Sequence, residues 1–308
     1  MKVLTYFDSR ILFVAVALLL FSFGLIDSET AALAGFAGTL KTSRLMPGWD
    51  GVVAGQTATL RCPVGLTYHQ LWTVFTGVTL AQMDEIRVVA NGQTIMRFGS
   101  GTLLDSYNQY EGRLAAVGAE NILVIDFDRF GLRTRAGEEL TSLGTGAPND
   151  PTPITTLSIE IDINAGAGAT TFASTAVQSV PRPLRLIKKF RTFTFNPAGA
   201  VDFEISTLPK GDLINKVFFD FSANDLTRLR VERDTFIVFD RTDGLNERIQ
   251  ADGVRVPQAS QYVYDPTEHG NGSESLVTAG VNDLRLIATM SGAATLTTAV
   301  EYIGAIDA

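Results

Sequence analysis

The chain has 308 residues, 45% of them hydrophobic and 19% charged, the balance of a globular protein long enough for one large domain or two ordinary ones. Its net charge of −8 excludes a surface built to coat nucleic acid, which needs clustered Lys and Arg in excess. A single cysteine, Cys62, excludes an intramolecular disulfide and a multi-thiol metal site, and reads as a small buried hydrophobe.

The N-terminus comes first and is the least globular part. From Ile11 to Ile26 no charge interrupts an apolar run, with Lys2 and Arg10 before it and Asp27 and Glu29 after it. That run is short for a membrane span, which needs about 20 residues. It suits a signal-peptide core, and Ala32-Leu33-Ala34 reads as a cleavage site. A cleaved signal, a retained membrane anchor and a start codon placed too far upstream all stand as readings of residues 1–38.

Beyond Gly38 the pattern becomes short alternating runs parted by turn residues, and the abundance of Gly and Phe (28 and 19) fits strands and tight turns. The expected strands of the first half are Thr57–Arg61, Leu71–Thr76, Ile86–Ala90, Gln93–Phe98, Ile122–Phe127 and Leu157–Ile163. Asn91-Gly92 supplies the two positive-φ residues of a two-residue hairpin turn. Leu103, Leu104, Tyr107 and Tyr110 fall at helical spacing. Strict alternation in Leu157–Ile163 puts Glu160 and Asp162 on one face.

The same order of signals then returns. Pro63 and Gly65 recur as Pro209 and Gly211 at one common offset. Leu71–Phe75 is answered by Val217–Phe221, and Ile86-Arg87-Val88 by Leu229-Arg230-Val231. Both halves close with a strand, a Gly/Ala link and a Thr-rich strand. The repeat is too long for a solenoid or propeller and implies a duplicated domain of some eight strands, a jelly roll or a related sandwich. The chain is therefore expected to be all-β, with two tandem eight-stranded jelly rolls behind the hydrophobic N-terminal, helix-like segment. The expected limits are 39–180 for the first roll, 181–190 for a proline-stiffened linker and 191–308 for the second roll.

Val53-Ala54-Gly55, Leu60 with Pro63, Gly65, Thr67 and Tyr68, Thr76-Gly77-Val78-Thr79 and Ile86-Arg87-Val88 resemble the opening roll of corticovirus-type major capsid proteins. Leu284-Arg285-Leu286 and Val300-Glu301-Tyr302-Ile303-Gly304 resemble that family's closing strands. These proteins form the shells of tailless, icosahedral bacteriophages with an internal membrane, and autolykivirus-like phages are related. The resemblance implies a virion protein, assembled in the host cytoplasm near the membrane, that forms a homotrimer and thus a pseudo-hexagonal capsomer. It further implies contacts with neighbouring capsomers, the internal viral membrane and minor capsid and vertex proteins, without specific nucleic-acid recognition. The family's chain begins near the position of Leu45-Met46-Pro47, which favours an upstream start or a membrane-inserted segment over export for residues 1–38.

The search for chemistry finds little. No phosphate-binding loop, dinucleotide fingerprint or nucleophile elbow is present. His69 and His269 lack partners at metal-ligand spacing, and both read as surface or loop residues. No catalytic residue and no cofactor is expected. Oxygen ligands for a structural calcium ion between subunits are sought among Asp126 and Asp128, two apart at a strand end, and Asp240 and Asp243. Arg182, Arg185, Lys188, Lys189 and Arg191 form a basic cluster between the halves. It reads as a linker paired with nearby acids, ahead of a contact for anionic lipid headgroups. The competing function is an exported two-roll carbohydrate-binding protein or glycan-active hydrolase. Only Trp49 and Trp72 are available as sugar platforms, and Trp72 lies in an apolar strand.

Overall fold

A computed structural model describes residues 40–147, 150–221 and 225–306. The readings of the hydrophobic run before Lys41 therefore fall outside the described residues. Among those described, no helix is long and apolar enough to cross a membrane.

The first roll contains β1 (Thr42–Leu45), β2 (Thr57–Cys62), β3 (Thr67–Thr76), β4 (Met83–Ala90), β5 (Gln93–Phe98), α1 (Gly101–Tyr110), β6 (Ile122–Asp126), the short α2 (Arg135–Glu138), β7 (Leu143–Gly144), β8 (Leu157–Ile163) and β9 (Thr171–Ser179). The second contains β10 (Ile187–Phe195), β11 (Asp202–Ile205), β12 (Leu213–Asp220), β13 (Leu226–Arg233), β14 (Phe236–Thr242), α3 (Asp243–Gln250), β15 (Gln261–Tyr264), β16 (Leu276–Val277), β17 (Leu284–Met290) and β18 (Leu296–Gly304).

Strand order makes each half a jelly roll. In the first, β1-β9-β3-β6 form one sheet and β2-β8-β4-β5 the other. In the second, β10-β18-β12-β15 face β11-β17-β13-β14. The two orders superpose strand for strand, with a helix after the fifth strand of each, so the duplication read in the sequence holds at the level of topology. Local chemistry explains the boundaries. Asn91 and Gly92 both have positive φ, 49° and 78°, and turn β4 into β5. The Ser100 hydroxyl accepts from the Leu103 N–H at 3.1 Å and opens α1.

Inward positions alternate with outward ones and fill two cores. Tyr68, Leu71, Phe75, Ile86, Val88, Ile159 and Ile161 belong to the first. Val217, Phe219, Leu229, Val231, Leu286 and Val300 belong to the second. On the outward face of the first roll, Arg87 is held by Glu85, Glu160 and Asp162, the two acids that the alternation of β8 placed together. Burial works against the Glu85 carboxylate, but hydrogen bonds from Arg87 and Arg97 outweigh it and hold the carboxyl below its ordinary range.

Two features join the halves. β10 runs parallel to β5, with Phe190 opposite Met96, so β2-β8-β4-β5 and β10-β18-β12-β15 become one nine-stranded sheet, with β16 alongside β12. In addition, Phe218, Val263 and Ala299 of the second roll pack into the first roll's core. β10 opens at Ile187, inside the stretch expected to be linker. The connection is short, and Lys188 and Lys189 are strand residues, because aliphatic stems on a strand can bury while their ammonium groups find partners.

Candidate assembly interface

For a chain without an evident active site, the surfaces that hold one roll against another are the functional geometry. The seam inside the chain shows how such a contact is built. Its first-roll side is β5, α1 and the residue after α1, Glu111. Its second-roll side is the outward face of β10-β18-β12-β15. Aromatic rings form the centre: Tyr107 lies 4.4 Å from Phe218 between ring centroids, Phe98 lies 4.8 Å from Phe190, and Tyr110 meets Phe218 edge-on at 5.7 Å.

Polar groups surround the rings and are almost all paired, as burial demands. The Tyr107 hydroxyl donates to Asp220 at 2.8 Å, and Gln261 donates to both Asp220 and the Ser106 hydroxyl at 2.9 Å. The Tyr110 hydroxyl donates to Asp265, which also accepts from Arg255 at 2.7 Å. Lys216 donates to Glu111 across the seam, and Asn215 donates to Glu301 at 2.6 Å. Arg129 reaches over from the first roll to Asn215, Ser275 and the Gly272 carbonyl. A space of about 30 Å³ remains among Glu111, Arg129, Lys188, Lys216 and Glu301, room for a water and too small for an organic ligand.

Three acids, the partly exposed Glu111 and the buried Asp265 and Glu301, thus face four buried cations, Arg129, Lys188, Lys216 and Arg255. Burial works against the Lys216 ammonium, but the three carboxylates around it outweigh burial and raise its pKa. Burial pushes the Glu111 carboxyl up despite Lys216. Burial also pushes Asp220 up to about 6, with the Gln261 and Tyr107 donors opposing it.

Sequence reading missed this network. The available signal was a charge inside an apolar run, Lys216 ahead of Val-Phe-Phe and Glu301 between Val300 and Tyr302. A strand with such a charge and no solvent face must be covered on both sides.

The expectation for His69 is corrected. It is a fully buried residue of β3, not a surface or loop residue. Its Nδ1 lies 2.9 Å from Asp128 and its Nε2 2.8 Å from the Ser179 hydroxyl. A carboxylate only accepts, so Nδ1 is the donor to Asp128. Ser, His and Asp in this order are the arrangement of an activated nucleophile. Here Asp128 and His69 are fully buried and Ser179 nearly so, and Asp128 is further held by Lys41 at 2.9 Å. The three residues brace the sheet where β3 bulges against β9. The second roll bulges at the matching place on β12, where Asn215 stands for His69. His269 is exposed on its loop, as read.

The metal candidates do not converge. Asp126 takes a bidentate bond from Arg113 at 2.6 Å, Asp128 is committed to His69 and Lys41, and Asp240 takes a bidentate bond from Arg228 at 2.6 Å. Asp243 stands alone of the four in the first turn of α3, pushed up to about 6 by partial burial and then by Glu247. Among the described residues no group of three or more His, Cys, Asp or Glu side chains could hold a metal ion.

The basic cluster likewise does not form one exposed patch. Lys188 is buried and donates to the Asp128 carbonyl at 2.9 Å, and Lys189 is buried against Asp212 at 2.7 Å. Arg182 pairs with Glu139 at 3.0 Å, and Arg191 stacks over Tyr302. Arg185 is exposed. Trp49 donates to Ser174 and packs on Phe172, while Trp72 lies on the outward face of β3 beneath Arg113. Cys62 is buried, which pushes its thiol up to about 12.

Comparison with known proteins agrees with this architecture. The structure of the major capsid protein P2 from bacteriophage PM2 matches with a TM-score of 0.79 at 20% identity, over 87% of this chain and 98% of that one. The STIV MCP matches with a TM-score of 0.66 at 11% identity, over 87% and 98%. The PBCV-1 virus capsid protein matches with a TM-score of 0.57 at 10% identity, over 87% and 97%. A search of curated protein sequences gives no match. The family model of the viral coat protein P2 N-terminal domain matches residues 43–179, and that of the P2 C-terminal domain matches residues 187–306. The two models meet at the connection between the rolls and together span most of the chain, which therefore belongs to the viral coat protein P2 family, a family of structural capsid proteins and not of enzymes.

Proposed function

We propose that this chain is the major capsid protein of a PM2-type virus and that three copies close into a pseudo-hexagonal capsomer of an icosahedral shell around an internal membrane. The observation that carries this reading is the pair of topologically equal rolls held rigidly side by side. Three such chains supply six similar units around one axis. The extensive paired seam fixes the angle between rolls, which a subunit of a closed shell requires.

Orientation follows from the ends of the strands. The start of β1, the connection between the rolls and the end of β18 lie at one end of the pair, since Thr42 pairs with Gln178 and Ile187 with Gly304. In this reading that end faces the lipid. Arg185 and the half-exposed Arg182 stand nearest to headgroups. Minor capsid and vertex proteins would meet the outer edges of capsomers. Calcium, in this reading, acts between copies.

The test is the native mass of the full-length chain by light scattering, with and without calcium. Trimers, or assemblies in whole multiples of three, are expected. A monomer in both conditions defeats the reading, and glycan binding by that monomer would favour the carbohydrate-binding alternative.

A further inference from the structure

The polar groups at the centre of the seam do not balance. Each carboxylate lining the small space there already has a donor: Glu111 takes Lys216, Glu301 takes the Asn215 amide, and Asp126 takes both arms of Arg113. The cations are less well served. The Lys188 ammonium carries three protons and gives one, to the Asp128 carbonyl at 2.9 Å. No carboxylate among the described residues pairs with it. Arg129 commits its Nη2 to Asn215, Ser275 and the Gly272 carbonyl, while its Nε–H is buried without an acceptor. Both residues are more than nine-tenths buried, at 7% and 3% exposed.

Lys188 and Arg129 line the same space of about 30 Å³. Its walls carry Arg129, Lys188 and Lys216 against Glu111 and Glu301, because Asp126 is neutralised by Arg113. Arg255 and Asp265 neutralise each other at 2.7 Å, and Asp220, four residues beyond Lys216 on β12, is not part of the wall. One positive charge is left over. A buried charge without a counter-charge is strongly unfavourable. A water would satisfy the idle donors and leave the charge uncompensated. An anion satisfies both, and a space that holds one water admits a single atom while excluding sulfate or phosphate.

We propose that the seam binds one monatomic anion, chloride, between the Arg129 Nε–H and the Lys188 ammonium. Arg129 follows β6 of the first roll and Lys188 belongs to β10 of the second, so the ion bridges the two rolls. The site exists only when the rolls are joined. Chloride therefore binds the folded chain and not the unfolded one, and stabilises the joined pair by mass action. The site lies within one chain and does not depend on self-association.

The test uses the full-length chain. Crystals grown in sodium bromide are expected to show one anomalous peak in contact with Arg129 Nε and Lys188 Nζ. Density there without anomalous signal is a water only and overturns the proposal. In solution, urea unfolding in chloride is compared with unfolding in gluconate at equal ionic strength. Once the site is more than half filled, each tenfold rise in chloride is expected to raise the folded-to-unfolded ratio by up to about tenfold. Lys188→Met keeps the aliphatic stem, removes the surplus charge and is expected to fold and lose this response. An equal response in wild type and Lys188→Met is a bulk salt effect and overturns the site. A bromide peak with no chloride response marks binding at crystal concentration only, and overturns it too. Should Lys188→Met fail to fold, the bromide peak and the wild-type response decide together.

Discussion

β3 and β12 occupy the same place in their rolls, carry the same bulge and present their inward side chains to equivalent cores. They differ on the other face. β12 turns Lys216, Phe218 and Asp220 into the seam against the first roll, whereas β3 turns Gln70, Trp72 and Val74 to the outer face, where Arg113 lies over Trp72 and Val74 is exposed. Inward positions are thus set by the roll itself, and outward positions by what each roll meets. The same strand can be read as half-buried or doubly buried only once its neighbours are known.

This comparison can be broken at several points. The largest effect belongs to the inward positions, where Phe75→Asp and Phe219→Asp each place an unpaired charge in a closed core. Loss of soluble folded protein is expected from both, and a normal yield from either would refute its placement. The outward positions should then part company. Phe218→Ala is expected to cost about 3–5 kcal/mol in urea unfolding, as for a large aromatic in a packed core, and Trp72→Ala about 1 kcal/mol or less. Equal losses would mean that the two faces are covered alike.

Lys216→Ala strands Glu111 and Glu301 in the seam and is expected to cost about 3–5 kcal/mol, more than the double variant with Glu111→Gln, which removes one of the orphaned charges. A double-mutant cycle reads the difference. Asp220 supplies a pH dependence that Val74 cannot. Its folded pKa of about 6 lies above the ordinary 3.8, so the folded state holds this proton more tightly than the unfolded chain. Stability from this group is therefore full below about pH 4, falls as pH rises to about 6 and is level beyond, by roughly 3 kcal/mol. Unfolding curves at pH 4 and 7 should show that Asp220→Asn removes this component. The smallest effect is expected from Pro181→Ala in the exposed connection, within about 1 kcal/mol.

Much of the fold was legible because its signals are local. Asn91-Gly92 fixes a hairpin, the alternation of Leu157–Ile163 fixes a face, and the repeated Pro-x-Gly marks the corresponding corner of each roll. What was not legible depends on distance. His69 looked like a loop residue because its partners, Asp128 and Ser179, are 59 and 110 positions away. For Lys188 and Lys189 the reading as a linker paired with nearby acids could name no partner, because a run of cations gives no hint that Asp212 and the Asp128 carbonyl will meet them. Asp126 and Asp128 looked paired on a strand, but the Phe127 and Asp128 N–H groups both turn to the His69 carbonyl and the two carboxylates go to separate cations.

In each roll the first strand is zipped to the last, β1 to β9 and β10 to β18. During synthesis neither roll can close until its final strand has left the ribosome, a long-range pairing that makes folding slow. The aromatic face formed by Phe98 and Tyr107 must also wait, because Ala299, part of the surface it packs on, lies on β18. A prematurely terminated chain therefore lacks the finished second roll, and with it the angle that a neighbour in the shell would need. Completion of translation is therefore a condition, set by topology, for presenting that geometry.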